Sequence, residues 1–445
     1  MRANIHSAPA VAWSALVMLS CLLACGGEER SAPKPRASAP AAAKPAPAPA
    51  PATLAESTTP ADLPLALVLG LAQFPPRGEG PPKPLPATMT FLARKDGEWV
   101  VGKIEDAESD VFHKVLHYVT PAGEDRLLSG GGSKAKLKLW KKTDQGYQAE
   151  TIWEKDFGGK FSRMRDIEVG DIYGDGRAVI AVATHDQGVV ALVKPEGEGY
   201  VVEELDREAD TFVHEIELGD LDGDGVLEVY ATPSEPNRLD GSTQSGRVTR
   251  YVPARGEGRV VVADLGDRHA KEIFVEDMDG DGSDELYVIV EGNYDKKSKK
   301  LTKKLEIRRY VAGTDAKEGV VIASFDDYLG RFLTAGDLDG DGQKDLVAAL
   351  KSVGVWLLQP AGDPALPWKK KLIDRKSGGF EHASIVADLD ADGRSELYVV
   401  SDKDGEVRRY TWQGGKFVRE VIHKRAHGNT VFTWNIVPVP VELVP

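Results

Sequence analysis

Apolar positions along this chain fall in short runs, and the runs come in fours. Residues 214–218, 227–231, 246–251 and 259–263 are rich in Val, Ile, Leu and Tyr, and glycine and charged residues separate them. Runs this short, bounded by turn residues, predict strands, and a unit of four predicts a small antiparallel sheet. The third-strand slot recurs at 188–192, 305–310, 354–358 and 405–410. An earlier unit at 115–119, 126–128, 136–140 and 147–153 has the same order. Amphipathic helical stretches are scarce, so the class is all-β.

Between the first and second run of each unit stands an acidic loop. The clearest is Asp337, Asp339, Asp341, Gly342 and Asp345, with carboxylates at loop positions 1, 3, 5 and 9. Asp220, Asp222, Asp224 and Glu228 repeat it, as do Asp277, Asp279, Asp281 and Glu285, and Asp388, Asp390, Asp392 and Glu396. Glycine holds position 6 throughout, where a sharp turn excludes a Cβ. Hard oxygens at this spacing suit Ca2+, with the position-7 carbonyls of Val226, Ser283, Gln343 and Arg394 as further donors. The expectation is about four calcium sites. A fifth loop keeps Asp171, Asp175 and Gly176 but has Tyr173 and Val179 at positions 3 and 9, which predicts a weak site or none. The unit at 115–153 has no acid series and predicts no metal.

An EF-hand would need a bidentate Glu at position 12 and flanking helices. Position 12 here is Ala231, Val288, Ala348 or Val399, and strand-like sequence follows. The pattern instead resembles the FG-GAP (VCBS-type) repeats of integrin-α-like β-propellers. That resemblance covers about 165–410 well and 85–445 by extension. It implies calcium between the first and second strands of each blade. Loop spacings of 49 to 60 residues fit one loop per four-stranded blade.

Counting blades gives six units plus two fragments. Residues 88–92 and 99–103 read as a third and fourth strand, and 430–437 and 439–444 as a first and second. Joined, they make a seventh blade, with six or eight as alternatives. The apolar stretch 63–74 reads as an edge strand or docking segment, because Pro64 argues against a central strand.

The first 24 residues read as a signal peptide ending in Leu22-Leu23-Ala24-Cys25, which resembles a bacterial lipobox. Cys25 is then the lipidated residue, and Gly26 after it favours the outer membrane. Residues 25–62 are Ala/Pro-rich and predict a disordered tether, at roughly 3.1 Å per residue on the order of 100 Å long. Residues 63–445 are the propeller. The other cysteine, Cys21, lies in the leader, so the body has no disulfide.

Formal net charge is −14, the wrong sign for a nucleic-acid binder. Four divalent cations would offset eight of those charges and leave −6, so much of the acidity belongs to the loops. Six residues before each loop stands a basic residue: Arg165, His214, Lys271, Arg331 and His382. They share one place, the start of the innermost strand, and form a candidate ligand ring with Phe212 and Phe380 as an apolar rim. The competing reading is that they pair with acids nearby, such as Asp166, Glu215 and Glu272. No Gly-x-Ser-x-Gly, His-Glu-x-x-His or phosphate loop occurs. His185, His269, His423 and His427 read as isolated surface residues. The leading expectation is a lipid-anchored, calcium-binding module of the cell envelope, for adhesion or for a protein or glycan ligand. The alternatives are an envelope hydrolase or lyase and a scaffold subunit.

Overall fold

A computed structural model describes residues 60–76, 83–132, 134–158, 162–185, 187–233, 244–295, 297–360, 362, 366–379, 383–426 and 430–445. The stretch read as a signal peptide, Cys25 and most of the stretch read as a tether lie outside the described residues, as do Phe380, His382 and His427.

The chain is a seven-bladed β-propeller, each blade a four-stranded antiparallel sheet. The innermost strands are Phe112–Val119, Met164–Gly170, Val213–Gly219, Ala270–Glu276, Gly330–Gly336, Ser384–Ala387 and Thr430–Pro440. Each contacts the innermost strand of the next blade, and Thr430–Pro440 contacts Phe112–Val119 to close the ring. We number blades 1 to 6 from Phe112; the seventh is the closing blade.

Hydrophobic packing explains the count. Seven apolar clusters lie between seven pairs of neighbouring blades rather than in one centre. Between blades 4 and 5, for example, Tyr287, Ile289 and Ile307 meet Leu333, Leu346 and Leu350. A second strand packs on a neighbour at both faces, so Glu285–Val290, Asp345–Leu350 and Glu396–Ser401 are buried at every residue. That is why these strands read as continuous apolar runs. Each fully buried Leu or Ile contributes about 1.5–3 kcal/mol.

The closing blade differs from the expected two-plus-two join. Its order is Glu98–Asp106, Ala87–Lys95, Leu65–Phe74, then Thr430–Pro440. Three strands come from the front and one from the back. Residues 63–74 are therefore no edge or docking segment; Leu65–Phe74 is an interior strand, paired from Leu65↔Pro440 to Phe74↔Thr430. Pro64 does not interfere because it precedes the strand, and its carbonyl accepts the Val441 amide at 3.1 Å. Residues 430–440 form one long strand, and Val441–Leu443 is a 3-10 turn rather than part of a second strand.

The acidic loops share one face of the ring, here the lower face. The starts of the innermost strands share the other, the upper face. Leu65–Phe74 is a second strand and starts at the lower face, so the chain enters the ring there. Arg94 Nε donates to the Pro60 carbonyl and Gly97 N to the Ala61 carbonyl, fixing that entrance.

Candidate metal loops and the channel mouth

All five acidic loops join a first strand to a second, and all adopt one turn. The position-1 carboxylate accepts the amide of position 6 in every loop and that of position 5 in four, as Asp220 does from Asp224 and Gly225, and Asp171 from Asp175 and Gly176; Asp337 instead accepts from Gly340 and Gly342, and the Asp341 amide goes to Asp339. The position-5 carboxylate accepts the amide of position 7, as Asp341 does from Gln343. Position 6 lies at φ between +80° and +92° in all five, which only glycine adopts cheaply. Position 4 is also left-handed. It is glycine in four loops, but Ala391, at φ +56°, in the fifth.

Oxygens of Asp220, Asp222 and Asp224 lie within 4.8 Å of one another, as do those of Asp277, Asp279 and Asp281, and of Asp388, Asp390 and Asp392. In the remaining complete loop the group is Asp337, Asp339 and Asp345. Two oxygens each about 2.4 Å from one Ca2+ are at most about 4.8 Å apart, so each set has the right span for one ion.

Position 9 separates the loops. Glu285 Oε2 accepts the Met278 amide at 3.0 Å and the Tyr287 hydroxyl at 3.1 Å, while Arg309 pairs with Oε1. Glu396 is held likewise by Tyr398 and Arg409, and Glu228 by Tyr230 and Arg250. In each case the Tyr and Arg are cross-strand partners: Tyr230↔Arg250, Tyr287↔Arg309, Tyr398↔Arg409. These guanidinium groups, or a neighbour, also reach the loop: Arg309 to Asp279 at 3.2 Å, Arg409 to Asp390 at 4.0 Å, and Arg255 to Asp222 and Asp224. In blade 5 the equivalent pair is apolar, Val347↔Leu357. The neutral Gln359 amide instead bridges Asp339 and Asp345 at 3.0 and 2.8 Å. No carboxylate of the Asp337 loop makes an ion pair among the described residues. Burial pushes Asp345 up to about 7; the Gln359 hydrogen bond pulls it back and the Asp339 charge adds to the rise. Glu228, Glu285 and Glu396 are also raised by burial, against the pull of their tyrosine, arginine or backbone donors.

At the upper face, Arg165, Lys271 and Arg331 surround a void of about 30 Å³. His214 stands beside Arg165, whose Nε lies 3.3 Å from its Nδ1. His382 lies outside the described residues. Two residues of the same layer have no acidic loop to count back from. His113 belongs to blade 1 and Trp434 to the closing strand; their rings meet at 4.7 Å, and the Arg165 guanidinium lies 4.8 Å over Trp434. Phe212 stacks on His185 at 3.9 Å, so His185 is part of the mouth and not an isolated surface residue.

One layer down are Lys114, Asp166, Glu215 and Glu272. Lys114 pairs with Asp166 at 3.1 Å and Glu168 at 2.7 Å. Asp166 accepts the Ile216 amide and Glu272 the Leu333 amide, each across a blade boundary. Burial pushes Glu272 up to about 8 and raises Glu215 and Glu217 well above the carboxylate range, with neighbouring carboxylates adding to the rise. The basic ring therefore sits directly on an acidic layer, and the space between them holds about one water molecule.

No family model matches the chain, and no curated protein matches it. Solved structures do. A protein of Bacteroides fragilis described as a putative 6-phosphogluconolactonase aligns at 14% identity with a TM-score of 0.51, over 86% of this chain and 100% of its own. A periplasmic gluconolactonase of Pseudomonas aeruginosa aligns at 13% identity and TM-score 0.47, over 85% and 100%. An Agrocybe aegerita lectin, described as recognising non-reducing terminal N-acetylglucosamine, aligns at 15% and 0.49, over 82% and 94%. At these identities the likeness is one of fold alone, and the Bacteroides fragilis alignment supports the seven-bladed propeller.

Proposed function

We propose that this chain is a calcium-stabilised FG-GAP-type propeller, tethered through lipidated Cys25 in a bacterial envelope, that works as a binding module through its upper face. The observation that carries this reading is the placement of the two faces. The chain enters at the lower face beside the acidic loops, where Pro60 and Ala61 are held by Arg94 and Gly97. Attachment at the lower face leaves the upper face unobstructed, and Gly26 after Cys25 favours the outer membrane.

Calcium's role is structural. Three or four carboxylates within one turn repel each other, and one divalent ion offsets that repulsion. The enzyme reading draws on the meeting of acids and bases at the mouth. Those groups are paired with one another around a void too small for a substrate, which favours binding elsewhere on the face.

The test uses two measurements. Isothermal calorimetry on the body from residue 60 onward should find about four Ca2+ ions, and chelation should lower its melting temperature by about 10 °C or more. Fractionation should find wild type in the envelope and Cys25→Ser in the soluble fraction. No calcium uptake, or a Cys25→Ser protein that stays in the envelope, would overturn the corresponding half.

A further inference from the structure

The upper face carries an open groove of about 670 Å³ at the junction of blade 5, blade 6 and the closing strand. Lys351, Arg375, Lys376 and Lys403 line it. The one carboxylate in its lining, Asp402, is buried and already held by Arg425 at 2.6 Å and by the Thr433 amide at 2.9 Å. Arg375, Lys376 and Lys403 are exposed, and none makes an ion pair among the described residues. On a chain of net charge −14 this is a concentrated reversal of sign.

The groove continues into an aromatic platform. Lys351 Nζ lies 4.7 Å over the Tyr328 ring, and Tyr328 stacks on Tyr294 at 5.3 Å. Tyr294, 42% exposed, stands on the hairpin Asn293–Asp295 and Lys300–Lys303, which rises from blade 4. That hairpin adds Lys297, Lys299 and Lys300, also without ion pairs among the described residues. Cations, an exposed tyrosine face and the hydroxyls of Ser352 and Thr430 thus form one continuous track across four blades.

We infer that this track binds an acidic polysaccharide, a chain of uronic-acid type. Carboxylates on the sugars meet the cations, hydroxyls meet Ser352 and Thr430, and the apolar face of a sugar ring lies on tyrosine. A polyuronate carries at most one charge per sugar. Duplex DNA carries one per about 1.7 Å, so the acidic body repels it more strongly. The inference rests on the binding-module reading and names its ligand class.

The test is retention of the calcium-loaded body on immobilised polygalacturonate, with dextran and a DNA oligonucleotide duplex as comparison matrices. Wild type should bind polygalacturonate in a salt-sensitive manner and ignore dextran. The pair Arg375→Glu and Lys376→Glu should weaken binding about tenfold or more, with melting temperature and calcium uptake unchanged. Tyr294→Ala should weaken it less and leave the salt dependence as it was. Groove variants that bind like wild type would overturn the site, as would no binding to polygalacturonate or equal binding to the DNA. None of those results touches calcium uptake or envelope retention, so the binding-module reading stands or falls separately.

Discussion

The loop of blade 5 and the loop of blade 2 make the same turn from different residues. Asp337 and Asp171 both accept the position-6 amide, and Gly342 and Gly176 both take the left-handed conformation. They part at positions 3 and 9. Blade 5 has Asp339 and Asp345, bridged by a neutral amide. Blade 2 has Tyr173, whose hydroxyl donates to Glu203 at 3.1 Å, and Val179, buried in an apolar cluster with Ala181 and Leu192. Blade 2 also carries its own cation, since Arg177 at position 7 pairs with Asp175. The comparison separates two jobs. Positions 1, 5 and 6 make the turn, and survive where the ion set is lost. In blade 5 positions 3 and 9 each take one loop amide, Asp341 on Asp339 and Leu338 on Asp345, and their carboxylates complete the oxygen set.

The strongest way to break that division is to restore blade 2. Tyr173→Asp with Val179→Glu supplies the two missing acids. Without calcium the new Glu is a buried, unpaired charge costing about 3–5 kcal/mol, so the melt in chelator should fall by roughly 10 °C. With calcium most of that loss should return, and calorimetry should count one more ion. A loss that calcium does not repair would mean that positions 3 and 9 are not enough.

A smaller effect compares single acids. Asp171→Asn weakens the two amide bonds of the blade 2 turn and should cost about 1–2 kcal/mol equally with and without calcium. Asp339→Asn should cost a similar amount in calcium and little in chelator, with one ion fewer bound. Equal calcium dependence in the two variants would erase the distinction.

Gln359→Arg places in blade 5 the charge that blades 4 and 6 carry as Arg309 and Arg409. It should weaken the corresponding calcium step about tenfold, roughly 1.4 kcal/mol, by competing for Asp339 and Asp345. Smallest of all, Ala391→Gly relaxes the one position-4 residue with a Cβ and should raise the denaturant midpoint by the equivalent of about 1 kcal/mol.

Much of the fold was legible because the blades repeat. Acidic loops mark the joint between first and second strands, and counting from them located the third strands of blades 2 to 6; the hairpin Asn293–Asp295 and Lys300–Lys303 has no such marker. The closing blade was harder to read. It has no acidic loop, and Pro64 next to an apolar run looked like an edge signal when it only marks where the strand begins. The same lack of a marker hid His113 and Trp434, which become visible once the register of Phe112–Val119 and Thr430–Pro440 is known. The tyrosine–arginine hold on position 9 did leave a trace: Arg309-Tyr310, Arg409-Tyr410 and Arg250-Tyr251 hold the same place in three third strands, where blade 5 has Leu357-Leu358. Its meaning needed the cross-strand register. The groove has no linear signature at all, because Lys351, Arg375 and Lys403 belong to separate loops that only ring closure brings together.

The closing strand also sets a timetable. Leu65–Phe74 leaves the ribosome early, yet its inner neighbour is the last strand made. Until Thr430–Pro440 arrives, Leu65–Phe74 has an open edge and Val115 lacks Asn435, which both donates to it and accepts from it at 2.9 and 3.1 Å. A chain made N-terminus first therefore keeps this edge open until Thr430–Pro440 has been added. Deletion of Thr430–Pro440 would remove the inner strand of the closing blade and leave an open arc in place of the ring.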